Sequence, residues 1–255
     1  MKLSQYKAQA RSTLKGLPGK YQLFILPILS FFFLISIQIH QNYLAEKEIQ
    51  LSIFASIFPT ILNIVSTLFT LSAAFTILKV IRHQQNKVSF SDLGLSFSST
   101  FFWKIILLGL IRWLLLLVWS LIFLVGVGIT GLAIYLYQIK GLSVALFPLI
   151  IGIITTLVGA AIAINRQYAY SKSQYILFDQ LQAGSYTGLS DIIDKSVSLT
   201  KGYKWKNFLL HLSFLGWFIL LLLSFGILII YIYPYFMTSE LYFYEDLITS
   251  NKEVK

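Results

Sequence analysis

Long apolar runs separated by short basic segments set the organisation of this chain. Residues 21–39, 53–78, 103–125, 142–164, 207–223 and 225–244 are six such runs, poor in charge. A helix needs about 20 apolar residues, rising about 1.5 Å each, to cross a hydrocarbon core of roughly 30 Å. The pattern therefore predicts an all-α integral membrane protein with six transmembrane helices in one polytopic domain, residues 1–255. Two points stay open at this level. Gly126, Gly128 and Gly131 either end the third run or belong to its turn. Residues 207–236 form either two helices broken near Ser224–Gly226 or one long helix, and the latter makes the number of spans odd.

Two shorter segments carry helical periodicity with a polar face. Leu3, Tyr6, Ala10, Leu14 and Leu17 fall on one stripe, and Lys7, Arg11 and Lys15 fall on another at i, i+4, i+8. That pattern predicts an interfacial helix over residues 1–17, which either lies in the headgroup plane with its apolar side down or serves as an ordinary basic anchor, the anchor being the favoured reading. Within the 165–206 loop, Leu189–Thr200 is predicted as a second amphipathic helix, with Leu189, Ile192, Ile193, Ser196 and Val197 on one face. Asp191 and Asp194 near its start and Lys195 and Lys201 towards its end suit the helix dipole, and Gly202 suits a C-cap.

Composition says which solvent these runs face. The chain is 57% hydrophobic and 12% charged, with mean hydropathy +0.76. A soluble domain carries about 25% charged residues, so most of this surface must face lipid. The net charge of +10 follows from where the cations lie. With six spans, seventeen Lys and Arg fall on one side, including Lys252 and Lys255, against Lys47 and Lys140 on the other. That bias places the N- and C-termini in the cytoplasm. The cations are spread over loops, which argues against nucleic acid and for anionic headgroups of membrane lipids. The basic N-terminal part leads into a full-length span with no small-residue cleavage site after it, so no cleavable signal is expected.

Candidate chemistry is sparse. There is no cysteine, and His40, His83 and His211 lie far apart, so no metal ligand set, cofactor motif or catalytic residue is expected. Arg112 stands about nine residues into the third span, roughly 13 Å along it, where a charge is expensive. It is a candidate anion site or a structural arginine, with Glu240 as its best available partner. Asn63, Ser66, Thr67 and Thr70 share one face of the second span, as interhelical packing or as a polar conduit. Arg112, Glu240, Asn63 and Thr67 thus form the candidate intramembrane polar site. Lys7, Arg11, Lys15, Lys201, Lys204 and Lys206 are the candidate lipid-headgroup contacts. Gly159, Ala160, Ala161 and Ala163 read as a close helix-packing face.

The aromatic–proline pairs Phe58-Pro59, Phe147-Pro148 and Tyr233-Pro234 each fall in the second arm of a helical hairpin. They raise the expectation of three hairpin repeats about a pseudo-threefold axis.

The C-terminal third carries recognisable residues. The run through Lys201, Gly202, Lys204, Trp205, Phe208, Gly216 and Trp217 resembles the bacterial domain of unknown function 975 family. So do Pro234-Tyr235 and Phe243-Tyr244 followed by Leu247, while Leu14-Lys15-Gly16 echoes the family's N-terminal element. The chain departs from the family pattern at Ile151-Gly152 and at Ser224–Leu228. The resemblance implies a multi-pass protein of the bacterial cytoplasmic membrane and supplies no substrate, cofactor or catalytic residue.

The expected function is a non-enzymatic membrane module that binds lipid or a membrane protein partner. The alternative is a transporter or lipid-translocating protein using a polar cavity near Arg112. An intramembrane enzyme ranks third, because it needs carboxylates and a base converging at membrane depth.

Overall fold

A computed structural model describes residues 1–253, and every element among them is helical. The helices are α1 Leu3–Lys15, α2 Lys20–Glu46, α3 Ile53–Ile81, a 3₁₀ helix Phe90–Phe97, α4 Phe102–Lys140 and α5 Leu142–Tyr170. They continue with α6 Ser173–Gln182, α7 Leu189–Thr200, α8 Lys204–Leu212, α9 Leu215–Leu223 and α10 Ile229–Glu253. Lys255 lies outside the described residues, as does the side chain of Lys252.

Five helical stretches are long and apolar enough to cross a membrane: Lys20–Glu46, Ile53–Ile81, Phe102–Lys140, Leu142–Gln182 and Lys204–Leu223. They mark the chain as a membrane protein. Of the six predicted spans, residues 225–244 are not among them. Tyr231, Tyr233, Pro234, Tyr235 and Tyr242 dilute that stretch, and Glu240, Glu245 and Asp246 charge the same helix. The break expected near Ser224–Gly226 is present as a turn, with Phe225 and Gly226 both at positive φ.

The chain divides into two compact units. The first comprises residues 1–102 with the segment from 209 onward. Here α10 packs against α1, α2, α3 and α9, and the 3₁₀ helix packs against α2 and α3. Its core is aromatic: Tyr6, Phe24, Phe75, Phe214, Tyr235, Phe243 and Tyr244 are all buried. The Ser52 hydroxyl accepts from the amide of Ala55 and opens α3. Asp92 accepts from the amide of Ser89 at 2.8 Å and caps the 3₁₀ helix. The buried hydroxyl of Ser72 accepts from the amide of Ser96 at 2.9 Å and ties that helix to α3. Before α2, Gly19 sits at φ +82°, and a Cβ there would stand 2.0 Å from the carbonyl oxygen of Val88. Both the backbone angle and the close approach require glycine.

The amphipathic N-terminal segment is helical as predicted, but its apolar stripe is covered by protein. Tyr6, Ala10 and Leu14 are buried, and the Tyr6 ring meets Phe243 of α10 edge-on at 5.7 Å. The aromatic side of α10 offers this stripe a closely packed partner, which hydrocarbon cannot match for shape.

The second unit is residues 103–208. It holds a hairpin of two long helices, α4 and α5, with the turn at Gly141. The third and fourth runs extend well past their predicted ends at 125 and 164, so Gly126, Gly128 and Gly131 lie inside α4. The physical reason is close packing. A Cβ on Gly126 would stand 2.3 Å from the Thr156 amide, one on Gly152 2.5 Å from the Thr130 hydroxyl, and one on Gly159 2.4 Å from the Phe123 amide. Small residues let two backbones touch in lipid, so here they join helices. The 165–206 region is largely helical. In it, α7 has the predicted bounds and docks on the end of α5, where the Ser196 hydroxyl donates to the Ala169 carbonyl at 2.8 Å.

Candidate functional site

In the first unit, α1 carries its basic row along the aromatic side of α10. The Met1 ammonium donates to both carboxylate oxygens of Asp246 at 3.2 Å, and the Tyr6 hydroxyl donates to the same group. Lys7 donates to the carbonyl of Ser213 at 2.7 Å and stands 4.3 Å from the centre of the Phe214 ring. Burial lowers the Lys7 pKa below the usual lysine value, and the neighbouring Arg11 charge adds to the effect. The Arg11 guanidinium lies 5.0 Å from the centre of the Tyr235 ring. Lys20 donates to the Leu14 carbonyl at 2.7 Å and so closes the C-terminal end of α1.

Between α1, the start of α2 and the start of α10 lies a cavity of about 320 Å³. Arg11, Lys15 and Lys20 supply cations to its wall, and Leu14, Tyr231 and Tyr235 supply apolar and aromatic surface. Among the described residues, no carboxylate lines it.

Deeper in the same unit, Nε2 of His211 and Oε1 of Glu240 stand 2.7 Å apart. The ring of Phe236 stands 5.2 Å from that of His211. Glu240, which the sequence suggests as a partner for Arg112, thus has His211 as a partner within its own unit, brought near by the turn at Ser224–Leu228 between α9 and α10. Of the polar residues on α3, Thr70 shares a 2.7 Å hydrogen bond with Tyr233 of α10. Thr67 donates to the Asn63 carbonyl of its own helix at 2.8 Å, and Asn63 and Thr67 both lie on an exposed part of α3.

In the second unit, Arg112 lies on α4 within electrostatic reach of Tyr175. Its Nε is buried and has no hydrogen-bond partner among the described residues. Lys201 is exposed, Lys204 donates to Asn165 at 2.8 Å, and Lys206 stands 5.9 Å from the Tyr203 ring centre. Exposed Trp205 stacks on Phe208 at 5.0 Å, and Arg166 stands 4.0 Å from the Trp119 ring centre. Aromatic rings interleaved with cations are the usual furniture of a membrane–water boundary. Among the described residues, no group of three or more His, Asp or Glu is placed to hold a metal ion.

The cavity was not legible in the sequence. Lys20, Tyr21, Tyr231 and Tyr235 meet across more than 200 residues of chain, a distance no local pattern encodes. The only signal was indirect: Lys20 follows the Lys15-Gly16 element, and Tyr235 follows the third aromatic–proline pair.

A family match extends over residues 1–252, described as Protein of unknown function (DUF975). The chain belongs to this family. Because the match runs from α1 almost to the end of α10, both compact units are parts of the DUF975 unit. No curated protein and no solved structure is matched by the chain.

Proposed function

We propose that this DUF975 protein is a non-enzymatic membrane module of the bacterial cytoplasmic membrane that binds anionic lipid headgroups or a membrane protein partner. One observation carries this reading. The apolar stripe of α1 is buried on α10, yet Lys7, Arg11 and Lys15 line up on the same helix at the boundary of an apolar bundle. A helix whose apolar side is covered by protein does not need lipid to hold it in place. Its cations are then available to recognise lipid, at about 1 kcal/mol per Lys or Arg near an anionic surface. Lys201, Lys204 and Lys206 beside exposed Trp205 form a second basic row of the same character.

The test is thermal unfolding of the full chain in nanodiscs of phosphatidylglycerol and of phosphatidylcholine. The expected result is a higher midpoint in phosphatidylglycerol that shrinks as salt is raised. Equal midpoints at low salt would end this reading.

The same proposal includes six spans with both ends cytoplasmic. The ammonium of Met1 on the Asp246 carboxylate supports a shared side for residue 1 and the later part of α10, which requires an even number of crossings. The chain has no cysteine, so single cysteines at Ser12, Lys140 and Thr249 can be labelled in intact cells. Labelling of Lys140→Cys alone fits this topology; labelling of only one of the two terminal sites breaks it. Pro59, Pro148 and Pro234 lie inside α3, α5 and α10, which supports a repeat of three helical hairpins.

A second reading rests on Arg112, whose buried Nε has no partner among the described residues. A guanidinium in that state suits a passing anion, and lipid translocation is the corresponding activity. Proteoliposomes holding a fluorescent phosphatidylglycerol would show accelerated exchange between leaflets, abolished by Arg112→Gln. Exchange no faster than in protein-free liposomes removes this reading.

A further inference from the structure

The cavity between α1, α2 and α10 has the composition of a site for one particular kind of molecule. We propose that it binds a single anionic phospholipid, with the phosphate held by Arg11, Lys15 and Lys20 and the acyl chains lying outside along α2 and α10. This rests on the reading of the protein as a lipid-binding module and adds a discrete, saturable site to it.

Three observations carry the inference. The first is charge. Three cations share the wall of one cavity, and among the described residues no carboxylate lines it. Lys20 uses one hydrogen bond on the Leu14 carbonyl, and its ammonium keeps two more to donate. The Arg11 guanidinium offers the planar fork that matches phosphate oxygens.

The second is an unsatisfied polar group. Tyr235 is 1% exposed. Its hydroxyl is buried within electrostatic reach of Arg11, yet is left without a well-formed hydrogen bond. A buried hydroxyl in that state has lost its water partners without full replacement and is costly to leave so. A phosphate oxygen in the cavity would accept from it.

The third is size and outlet. A volume of about 320 Å³ sits at the low end of small-molecule sites, which begin near ~300 Å³. It suits a glycerophosphate headgroup and excludes two acyl chains. The rest of the ligand must leave along apolar surface, and that surface is present at the mouth. Tyr21 is 62% exposed, Ile230 46% and Tyr231 48%. A free phosphate ion would satisfy the cations and leave this apolar part unfilled.

The experiment uses the full chain in a non-ionic detergent, with native mass spectrometry for stoichiometry and thermal unfolding for affinity. Phosphatidylglycerol, phosphatidylcholine and inorganic phosphate are titrated separately. The expected result is one tightly held phosphatidylglycerol, with little response to the other two. The double variant Arg11→Gln, Lys15→Gln should weaken that binding by about tenfold or more. Tyr235→Phe keeps the ring and its packing, and should weaken binding by a smaller factor. Lys87→Gln, exposed and outside the cavity, should change nothing.

Each other outcome counts against the site. If the double variant unfolds as a monodisperse protein but binds phosphatidylglycerol like the parent, the cavity is not the site, and the wider lipid-binding reading survives. If inorganic phosphate stabilises the chain as strongly as the lipid, the ligand is a free anion and the acyl outlet is irrelevant. If phosphatidylglycerol and phosphatidylcholine act alike, the site and the wider reading fall together. Should the double variant fail to fold, Tyr235→Phe and the conservative Arg11→Lys decide the matter: parent-like affinity in both overturns the proposal.

Discussion

His211 and Glu240 approach to 2.7 Å across the hairpin formed by α8, α9 and α10. Glu240 lies roughly 20 Å along its helix from the turn at Gly226, at about 1.5 Å per residue. Its side chain is 10% exposed, so the carboxylate has been withdrawn from solvent and depends on its partners. Replacing His211 with Ala removes one of them. Thermal unfolding in detergent should show a loss of about 1–3 kcal/mol. Glu240→Gln retains a polar partner for the imidazole without the charge and should cost less than His211→Ala. A smaller loss for His211→Ala than for Glu240→Gln would show that the imidazole contributes little.

Arg82 at the end of α3 donates to Oε1 of Glu245 on α10 from both Nε, at 2.9 Å, and Nη2, at 2.7 Å. Both side chains are about a quarter exposed or less. Lysine cannot reproduce that fork. Arg82→Lys should therefore destabilise the first unit by about 1 kcal/mol, with solvent screening keeping the figure near that low value. A double-mutant cycle with Glu245→Gln is the measurement, and a coupling energy indistinguishable from zero would contradict the expectation.

The glycines of α4 and α5 divide into two kinds with opposite predictions. A Cβ at Gly152 would meet the Thr130 hydroxyl at 2.5 Å, whereas one at Gly128 or Gly131 would have nothing within 4 Å. Gly152→Leu should force the two helices apart and cost about 1–3 kcal/mol or more. Gly128→Ala and Gly131→Ala should stabilise α4 by about 0.5–1 kcal/mol each, through helix propensity. Unfolding midpoints of the three variants are the readout, and the same sign for all three would show that packing is not what distinguishes them.

Asp191 near the start of α7 has its pKa lowered to about 2, first by its contact with Lys195 and then by hydrogen bonds from Thr187 and Gln180. A carboxylate lowered on folding stabilises the structure above its unfolded pKa, and that contribution is lost as pH falls through the folded value. Here the window lies between the usual 3.8 and about 2. Protection factors of the α7 amides, taken against the intrinsic exchange rate at each pH, should fall on acidification through this window, and Asp191→Asn should flatten that dependence. Identical acid profiles for the two proteins would remove the assignment.

The sequence carried the helical plan well because hydropathy and periodicity are local properties. The ends of α7 and the break after Leu223 follow from residues within a turn or two of each. The long extent of α4 was hidden because glycine reads locally as a helix breaker; its contact with α5 depends on residues some thirty positions away. The stripe containing Asn63 and Thr67 was legible as a face, but a face does not announce its neighbour. Thr70 meets Tyr233, while Thr67 turns back onto its own backbone. Lys7, Arg11 and Lys15 were visible as a basic row. The cavity that gives Arg11 and Lys15 a common wall needs Tyr231 and Tyr235, brought in from the far end of the chain.

The 39 residues of α4 amount to about 58 Å of helix, nearly twice the roughly 30 Å of a typical hydrocarbon layer. Such a rod cannot stand upright with all its oily length satisfied. It must lean, swell the leaflet around it, or reach past the headgroups, and each accommodation costs a fraction of a kcal/mol per ångström. Thickness of the surrounding membrane thus becomes a mechanical input to this half of the molecule, felt first where α4 and α5 are pinned together at Gly126, Gly152 and Gly159.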